Sequence, residues 1–220
     1  WHAITAGTQI AKEKQKEIEL KELERSFISK KIDGFFPTPT PLIEKMFSMD
    51  KVFENEMTLE PSAGVGHIAQ AIKEKYPENS LNLIEYNSSL SDVLNKKGFD
   101  VQNEDFLQTS KKYDVIFMNP PFEKGQDIDH VNHAFKLLNP GGRLVAIMAA
   151  NKFKSDKKTT DFNEFVLNNG YSTENPEGSF KNAFNSTGVN TITVYLEKEA
   201  DQPEEETEAT EQIGRASCRE

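Results

Sequence analysis

A chain of 220 residues with 36% hydrophobic residues and a mean hydropathy of −0.65 is long enough for one α/β domain with a large core. No apolar run reaches about 18 residues, which argues against a membrane-spanning helix. The single cysteine, Cys218, excludes an internal disulfide and a thiolate metal cluster. The chain starts at Trp1 with neither an initiator Met nor a signal-peptide pattern, so we expect a fragment or a processed end of a cytoplasmic protein.

The formal net charge of −10 is concentrated near the C-terminus, where residues 197–211 contain eight acids and one lysine. We expect residues 198–220 to form a disordered acidic tail. Its last part, 213–220, resembles the translation of a sequencing-adapter oligonucleotide, and we expect it to be non-native. The rest of the chain is mildly acidic, which predicts weak backbone affinity for nucleic acid unless a local basic rim supplies it.

Residues 1–32 predict a charged helix with a thin apolar stripe that includes Ile18 and Phe27. We expect this helix to be solvated; a basic helix that grips DNA is the alternative, but evenly spaced glutamates oppose it. The alternating prolines at 37, 39 and 41 then predict a stiff extended strap before a new helix. The strap could lie against a ligand, or it is merely a linker.

A strand, a glycine turn and a helix follow one another over residues 57–76. The Gly-x-Gly of the turn is the geometry that lets backbone approach a nucleotide-like ligand at the carboxyl edge of a sheet. The third glycine of the dinucleotide fingerprint and the Lys-Ser/Thr of a phosphate loop are both missing, so a pyrophosphate is not the expected ligand. Glu60, at the strand end, would repel phosphate and suits a cationic or amine-bearing group.

Acidic residues also end the next two predicted strands. Glu85 follows strand 81–84 and lies about 20 residues beyond the glycine turn, the spacing of an acid that binds a ribose diol. Asp105 follows the short strand 99–101, where it could accept a hydrogen bond from an adenine amine with Phe106 beside the ring. Each acid alone is more often a helix cap, but three acids at successive strand ends favour one binding edge.

The stretch 114–122 ends a buried strand with Asn119-Pro120-Pro121-Phe122. Two consecutive prolines end the ladder and fix the backbone, so the Asn119 side chain and the carbonyls of Asn119 and Pro120 project from the carboxyl end of the strand. Acceptors beside one aromatic face suit a planar group that carries an NH2, such as a flipped nucleobase. A Pro-rich turn with Phe122 in the core is the alternative.

A helix over 126–138, a turn at 139–142 and a buried strand over 143–150 are predicted next. His130 and His133 lie at i and i+3 on that helix; with no third ligand in view, we expect surface histidines and no metal site. Lysines cluster beyond the strand and form either a solvated loop or the basic rim of the site. These are Lys152, Lys154, Lys157 and Lys158.

A helix over 161–168 and strands over 171–174 and 191–197 complete the predicted elements. The long connection between the last two strands contains two aromatic residues, Phe180 and Phe184. Long ordered connections at the rim of a site are often functional, so both side chains are candidates for substrate contacts.

Together these features resemble the S-adenosylmethionine-dependent adenine-N6 DNA methyltransferases, in a compact form like those of phages and mobile elements. The resemblance covers residues 33–197, between the helix 1–32 and the tail 198–220. It implies a Rossmann-like class I methyltransferase fold of the α/β class, with helices on both faces of a seven-stranded, mostly parallel sheet whose last strand is antiparallel. It rests on Phe36-Pro37-Thr38-Pro39, Leu59-Glu60-Pro61-Ser62-Ala63-Gly64-Val65-Gly66, Glu85, Asp105-Phe106, Asn119-Pro120-Pro121-Phe122, and Phe180 with Thr187-Gly188-Val189.

The resemblance implies S-adenosyl-L-methionine as cofactor and a role for each site residue. Its methionine part is expected near Thr38, Glu60 and Gly64, its ribose at Glu85, and its adenine at Asp105 and Phe106. Further cofactor contacts are expected from Pro39, Pro61, Ala63, Gly66 and Asn119. The catalytic residues are expected to be Asn119, Pro120 and Phe122. The substrate contacts are expected to be Pro121, Lys152, Lys154, Phe180 and Phe184.

The family's sequence-specific members carry a sizeable target-recognition region, and only the tail follows Leu196 here. Recognition is therefore minimal, or it comes from a missing N-terminal part or a partner subunit. Asn-Pro-Pro-Phe also occurs in enzymes that methylate guanine amines of ribosomal RNA, and Asn-Pro-Pro-Tyr in those that methylate a protein glutamine; the strap and the segment 180–189 favour DNA adenine. A noncatalytic nucleic-acid-binding or partner-binding module on the same fold would predict a degraded glycine turn or lost acids, and neither is seen.

Overall fold

The computed structural model describes residues 2–29, 36–150, 156–180 and 190–201, with side chains in the first range described from 10 to 27. Helices and strands largely alternate along these ranges. The helices are α1 (His2–Ser29), α2 (Thr40–Met49), α3 (His67–Lys75), α4 (Ser88–Lys97), α5 (Gln126–Lys136) and α6 (Lys157–Asn169). The strands are β1 (Met57–Pro61), β2 (Ser80–Ile84), β3 (Val101–Gln102), β4 (Tyr113–Met118), β5 (Leu138–Ala149), β6 (Gly170–Glu174) and β7 (Thr191–Glu197).

In the part of the chain that the structure describes, the strands form one sheet in the order β3-β2-β1-β4-β5-β7-β6. The first five strands along the chain pair in parallel, whereas β7 is antiparallel to both β5 and β6. The strand order therefore reverses between β1 and β4, where the loops after these two strands open a crevice at the carboxyl edge. The predicted Rossmann-like fold with seven strands is confirmed.

Strand β4 is buried on both faces. Ile116 and Met118 belong to the core cluster formed with α5 and α6, whereas Val115 and Phe117 belong to the cluster formed with α2 and α3. Because successive side chains of a strand point to opposite faces, four consecutive apolar residues fill both layers. The ladder ends after Met118, just before Pro120 and Pro121, which have no N–H to donate.

The sequence also predicts a helix over residues 88–97, and α4 begins and ends at these residues because both of its caps can be read from the sequence. The Asn87 side-chain oxygen accepts from the backbone N–H groups of Ser89 at 2.9 Å and Leu90 at 3.3 Å. Gly98 ends the helix in the left-handed region, with φ of 89°.

Helix α1 differs from the solvated helix that was predicted. The described side chains from 10 to 19 are exposed, but Leu20, Leu23 and Phe27 pack against the cluster that contains Val65, Leu90 and Val93. The second half of α1 therefore covers α4 and the glycine turn, since its apolar stripe finds a partner there. In the described ranges, no helix combines the length and apolar character needed to cross a membrane.

Several further boundaries differ from prediction. β3 is Val101–Gln102 and not 99–101, and α5 ends at Lys136 and not at 138. β5 begins at Leu138 and includes the predicted turn 139–142, because Leu138 already pairs with Tyr113 before a register shift in the β4 partner. Helix α6 begins at Lys157, four residues earlier than predicted, because the Asp156 side chain caps it by accepting from Thr159 N at 3.0 Å.

Candidate active site

A cavity of about 710 Å³ lies at the carboxyl ends of β1, β2 and β4, within the size range of small-molecule and cofactor sites. Most of the predicted cofactor residues line it, which places the three acids of the strand ends around one space. The predicted residues in its lining are Thr38, Glu60, Ala63, Gly64, Glu85, Asp105, Phe106, Asn119 and Pro121. Three predicted residues, Lys152, Lys154 and Phe184, lie outside the described residues.

The two glycines of the turn after β1 have different surroundings: Gly64 faces the cavity, and Gly66 faces the core. Gly64, with φ of 58°, lines the cavity. Gly66, with φ of 82°, precedes α3 and closes the turn by donating from its N–H to the Ala63 carbonyl at 2.8 Å. A Cβ at Gly66 would stand 2.6 Å from Leu94 Cδ2, so this glycine also allows α3 and α4 to pack closely.

Glu85 holds the glycine turn against the end of β2. Its Oε2 accepts from Gly64 N and its Oε1 from Asn87 N, both at 2.7 Å. Burial raises the pKa of the Glu85 carboxyl, and the N–H groups of Asn87, Gly64 and Tyr86 oppose that shift. Both oxygens accept from backbone donors, so the carboxylate form fits this site, and each oxygen keeps a lone pair for a ribose hydroxyl.

Glu60 presents a buried acid with unfilled hydrogen-bonding capacity. The residue is 3% exposed, and its Oε2 is buried with no partner among the described residues. Burial raises the pKa of Glu60 well above its ordinary value, and the charge of Glu85 adds to the rise, while Ala69 N–H and Lys97 oppose it. Ionising this carboxyl is costly without a partner, so the site favours a cationic ligand group.

Asp105 and Phe106 follow β3 at the other end of the cavity. Asp105 Oδ1 accepts from Leu107 N at 3.0 Å and so caps the short 3-10 helix Phe106–Gln108. Phe106 is 3% exposed and packs between His130 and His133, with ring centroids 5.6 and 5.0 Å away. The expectation of surface histidines is therefore wrong: His130 lines the cavity, and burial lowers its pKa.

The described residues contain no group of three or more side chains that could hold a metal ion. His133 Nε2 lies 3.1 Å from the Thr109 carbonyl oxygen, which gives this ring a backbone partner. The sequence could not show which side of α5 faces the cavity, so His130 was missed as a lining residue.

The amide of Asn119 has a defined orientation. Its Nδ2 donates to the Phe36 carbonyl at 3.1 Å and to Thr38 Oγ1 at 3.0 Å. A backbone carbonyl can only accept, so the NH2 group must face Phe36, and the Asn119 oxygen points elsewhere. That Oδ1 is buried and has no hydrogen-bond partner among the described residues. The strap thus holds an unfilled acceptor at the end of β4.

Three aromatic rings meet beside this acceptor. The ring of Phe122 is parallel to that of Phe36, with an interplanar angle of 7° and centroids 6.2 Å apart. Phe180 contacts Phe122 edge-on, with centroids 6.3 Å apart, and is only 2% exposed. Phe180 therefore supports Phe122 from behind, whereas Phe36 lines the cavity. Phe36 was predicted only as part of a motif, because nothing in the sequence pairs it with Phe122.

The remaining predicted residues lie at the edges of the site. Pro39 precedes α2, and its carbonyl accepts from Leu42 N at 2.9 Å. Pro61 is the last residue of β1, and Pro120 is buried beyond the end of β4. Beyond β5, Lys157 pairs with Asp161 at 2.6 Å and Lys158 pairs with Asp129 at 2.7 Å. These two lysines are therefore less free to contact a phosphate than the sequence suggested.

A family model described as "Methyltransferase small domain" matches residues 38–172, more than half of the chain. Modification methylase CviBIII of Paramecium bursaria Chlorella virus NC1A is 36% identical over 97 residues, which are 40% of this chain and 26% of the relative. Malonyl-(acyl-carrier protein) O-methyltransferase 1 of Ilyobacter polytropus is 27% identical over 134 residues, which are 57% of this chain and 46% of the relative.

Among solved structures, the modification subunit of a type I restriction enzyme from Vibrio vulnificus YJ016 superposes with a TM-score of 0.67 at 19% identity. The match covers 84% of this chain and 49% of that one. At such identity the likeness concerns the fold. The chain thus spans less than half the length of each of these relatives.

Proposed function

Because the chain belongs to the methyltransferase small domain family, we propose that it transfers a methyl group from S-adenosyl-L-methionine to the exocyclic N6 amine of adenine in DNA. The class I methyltransferase fold predicted from the sequence is confirmed by the strand order and the similar solved structure, and the family model supports S-adenosyl-L-methionine as the cofactor. The choice of an amine on a planar base rests on the site itself, and the choice of adenine in DNA rests on the resemblance of the sequence and on a relative.

The observation that carries the proposal is the unfilled Asn119 Oδ1 beside the ring pair of Phe36 and Phe122. An amine has hydrogens to donate to this oxygen, whereas the carboxylate accepted by a carboxyl O-methyltransferase has none. The aromatic ring of Phe122 beside this oxygen suits a flat, π-stacking acceptor, which favours a nucleobase over a glutamine side chain. The relative named as a modification methylase supports DNA as the carrier of that base.

The cavity fits the cofactor residue by residue. The buried carboxyl of Glu60 suits the ammonium group of the methionine part, Gly64 allows close approach of backbone, and Glu85 and Asp105 have acceptors for the ribose and the adenine amine. When bound, S-adenosyl-L-methionine supplies an electrophilic methyl group on a sulfonium. Thr38 joins this cofactor side to the substrate side through its bond with Asn119.

The residues act mainly by positioning. Asn119 Oδ1 and the Pro120 carbonyl accept the two N–H groups of the target amine, which draws its nitrogen toward tetrahedral geometry and aims the lone pair at the methyl group. Phe122 stacks on one face of the base. Asn119 is an amide and cannot act as a strong base. The surplus proton therefore leaves to water after transfer.

The proposal is tested by offering radiolabelled S-adenosyl-L-methionine in parallel to duplex DNA, single-stranded DNA, ribosomal RNA and a glutamine peptide. We expect label in DNA, recovered by mass analysis as N6-methyladenine. Label on guanine or on glutamine would overturn the substrate while keeping the fold and the cofactor. No label on any acceptor, together with intact cofactor binding, would favour a noncatalytic module.

A further inference from the structure

A polar network joins α2 to the end of β6 through a half-buried lysine and a buried asparagine. Lys45 Nζ donates to the Glu174 carbonyl and to Asn175 Oδ1, both at 2.7 Å. Lys45 is in the second turn of α2, the helix that follows the strap residue Thr38. The contact spans about 130 positions of the chain, so it fixes the position of one layer of the site relative to another.

Asn175 forms hydrogen bonds through both polar atoms of its side chain and through its backbone N–H. Its Oδ1 also accepts from Thr193 Oγ1 at 2.8 Å, and its Nδ2 donates to Thr191 Oγ1 at 3.0 Å. Its backbone N–H donates to the Thr191 carbonyl at 2.9 Å. Asn175 is 7% exposed, Thr191 3% and Thr193 0%. A network whose amide and hydroxyl groups are buried and hydrogen-bonded holds its backbone more rigidly than a surface pair does.

The anchored residue leads directly to the aromatic support of the site. After Asn175 the chain turns, with the Pro176 carbonyl accepting from Ser179 N at 3.1 Å, and then places Phe180 in the core. Phe180 shares that core cluster with Leu42 and Met46 of α2. Phe180 is thus held from two sides, by Asn175 along the chain and by α2 in space, and its ring contacts Phe122.

We propose that Lys45 and Asn175 are positioning residues that set Phe180 and, through it, the ring of Phe122. The same helix, α2, follows the strap that orients Asn119, so the network keeps the amine acceptor and the stacking ring at a fixed separation. This inference rests on the proposed function for the role of Phe122 in binding a base. Neither Lys45 nor Asn175 lines the cavity.

The test uses Lys45→Met in the full chain, because this half-buried lysine can be replaced without emptying the core. Lys198→Met is the matched control, since Lys198 Nζ also donates to a backbone carbonyl, that of Leu138 at 2.8 Å, at the opposite edge of the sheet. Lys45→Met should raise KM for an adenine-containing DNA duplex about tenfold, change kcat less, and leave the Kd for S-adenosyl-L-methionine unchanged. The control should change none of the three.

Asn175→Asp is the conservative variant. Its carboxylate can accept from Lys45 and from the hydroxyls of Thr191 and Thr193, so we expect KM close to that of the original chain. Asn175→Asp combined with Lys45→Met leaves a buried carboxylate without its cation, so this pair should raise KM more than either single change does.

A fluorine probe separates this inference from the proposed function. With 4-fluorophenylalanine at position 122, Lys45→Met should shift the ¹⁹F resonance, and Lys198→Met should not. A shifted resonance in a chain that methylates no acceptor would sink the proposed function and keep the positioning role. An unshifted resonance with unchanged KM in a folded Lys45→Met variant would overturn the positioning role.

Discussion

Glu60 is the residue whose ionisation depends most on what occupies the cavity. Its carboxyl is buried beside Glu85, and its Oε2 has no partner among the described residues. Burial, with the nearby charge of Glu85, raises its pKa well above the ordinary 4.5. A cationic ligand binds the ionised carboxyl, so below the raised pKa the proton must leave before the ammonium group can pair with it.

This gives a prediction for binding of S-adenosyl-L-methionine. Its affinity should rise with pH from 4.5 through the raised pKa of Glu60 and then level off, with release of protons on binding. By the same linkage, the free protein should lose stability over this range, because a raised folded-state pKa favours folding only while the group stays protonated. Calorimetry in buffers of different ionisation enthalpy measures the proton release.

Glu60→Gln is the control, because it keeps the shape and removes the titration. It should bind the cofactor more weakly at high pH, by about tenfold, and with little dependence on pH. An unchanged pH profile in Glu60→Gln would assign the titration to another acid of the cavity, such as Glu85.

Residues whose role depends on a neighbour distant in sequence were the ones that prediction missed. Asn119 and Glu85 could be placed from strand ends alone, because parallel strands bring their carboxyl ends to one edge. Phe36 and His130 needed the packing of the strap and the rotation of α5. The ion pair between Lys158 and Asp129 could not be predicted from the sequence either, because Asp129 lies on another helix.

At the scale of elements, the glycine turn is where backbone conformation and packing act together. Gly66 and Gly98 both have positive φ, of 82° and 89°, but a Cβ at Gly66 meets Leu94 whereas one at Gly98 meets nothing within 4 Å. Gly98→Ala should therefore lower the free energy of unfolding by about 1 kcal/mol, the cost of the left-handed conformation.

Gly66→Ala should cost about 2 to 4 kcal/mol, because overpacking against Leu94 adds to the same backbone cost. It should also weaken cofactor binding, since Gly66 closes the turn that presents Gly64. Urea unfolding of both variants measures the difference between their free energies of unfolding. Equal decreases for Gly66→Ala and Gly98→Ala would mean that α4 shifts to accommodate the added methyl group at no energetic cost.

Elements with readable caps were predicted best. α4 lies between Asn87 and Gly98, and both act through local hydrogen bonds or backbone conformation that the sequence specifies. The start of β5 was wrong because Asn139-Pro140-Gly141-Gly142 is typical of a turn, and Gly141 does have a positive φ of 73°. The stretch stays in the sheet because Leu138 pairs with Tyr113, Gly141 N donates to the Lys198 carbonyl and the Gly142 carbonyl accepts from Lys198 N. Tertiary hydrogen bonds outweighed the local propensity there.

Across the whole molecule, the cofactor cavity is acidic, so the cationic contacts that a nucleic acid needs must lie elsewhere. The cavity lining contains Glu60, Glu85, Glu104, Asp105 and Glu123, and no lysine or arginine among the described residues. A phosphate backbone would be repelled by this surface, so a DNA substrate must place only its base near the cavity and its phosphates elsewhere. The basic rim at Lys152 and Lys154 stays a prediction. The expectation that a partner or a further region recognises the target also stays a prediction.

The fold and the cofactor could be predicted because the family resemblance that implies them rests on the glycine turn, the acids at strand ends and Asn119-Pro120-Pro121-Phe122, all of which are local in sequence. The substrate could not be predicted equally well from local motifs, because it depends on which groups surround the side-chain amide of Asn119. Asn119 is therefore the most direct test of the account. Asn119→Ala removes the proposed acceptor while Thr38 and the cavity remain, and Asn139→Ala is its control, since Asn139 bonds Asp114 at the opposite edge of the sheet.

The measurement is single-turnover methylation of an adenine-containing duplex, beside calorimetric binding of S-adenosyl-L-methionine. For Asn119→Ala we predict a rate lowered by about a hundredfold or more with a cofactor Kd within about threefold, because the contact matters most in the transition state. Asn139→Ala should leave both values unchanged. A rate for Asn119→Ala equal to that of the original chain would contradict the role of Asn119 as the amine acceptor.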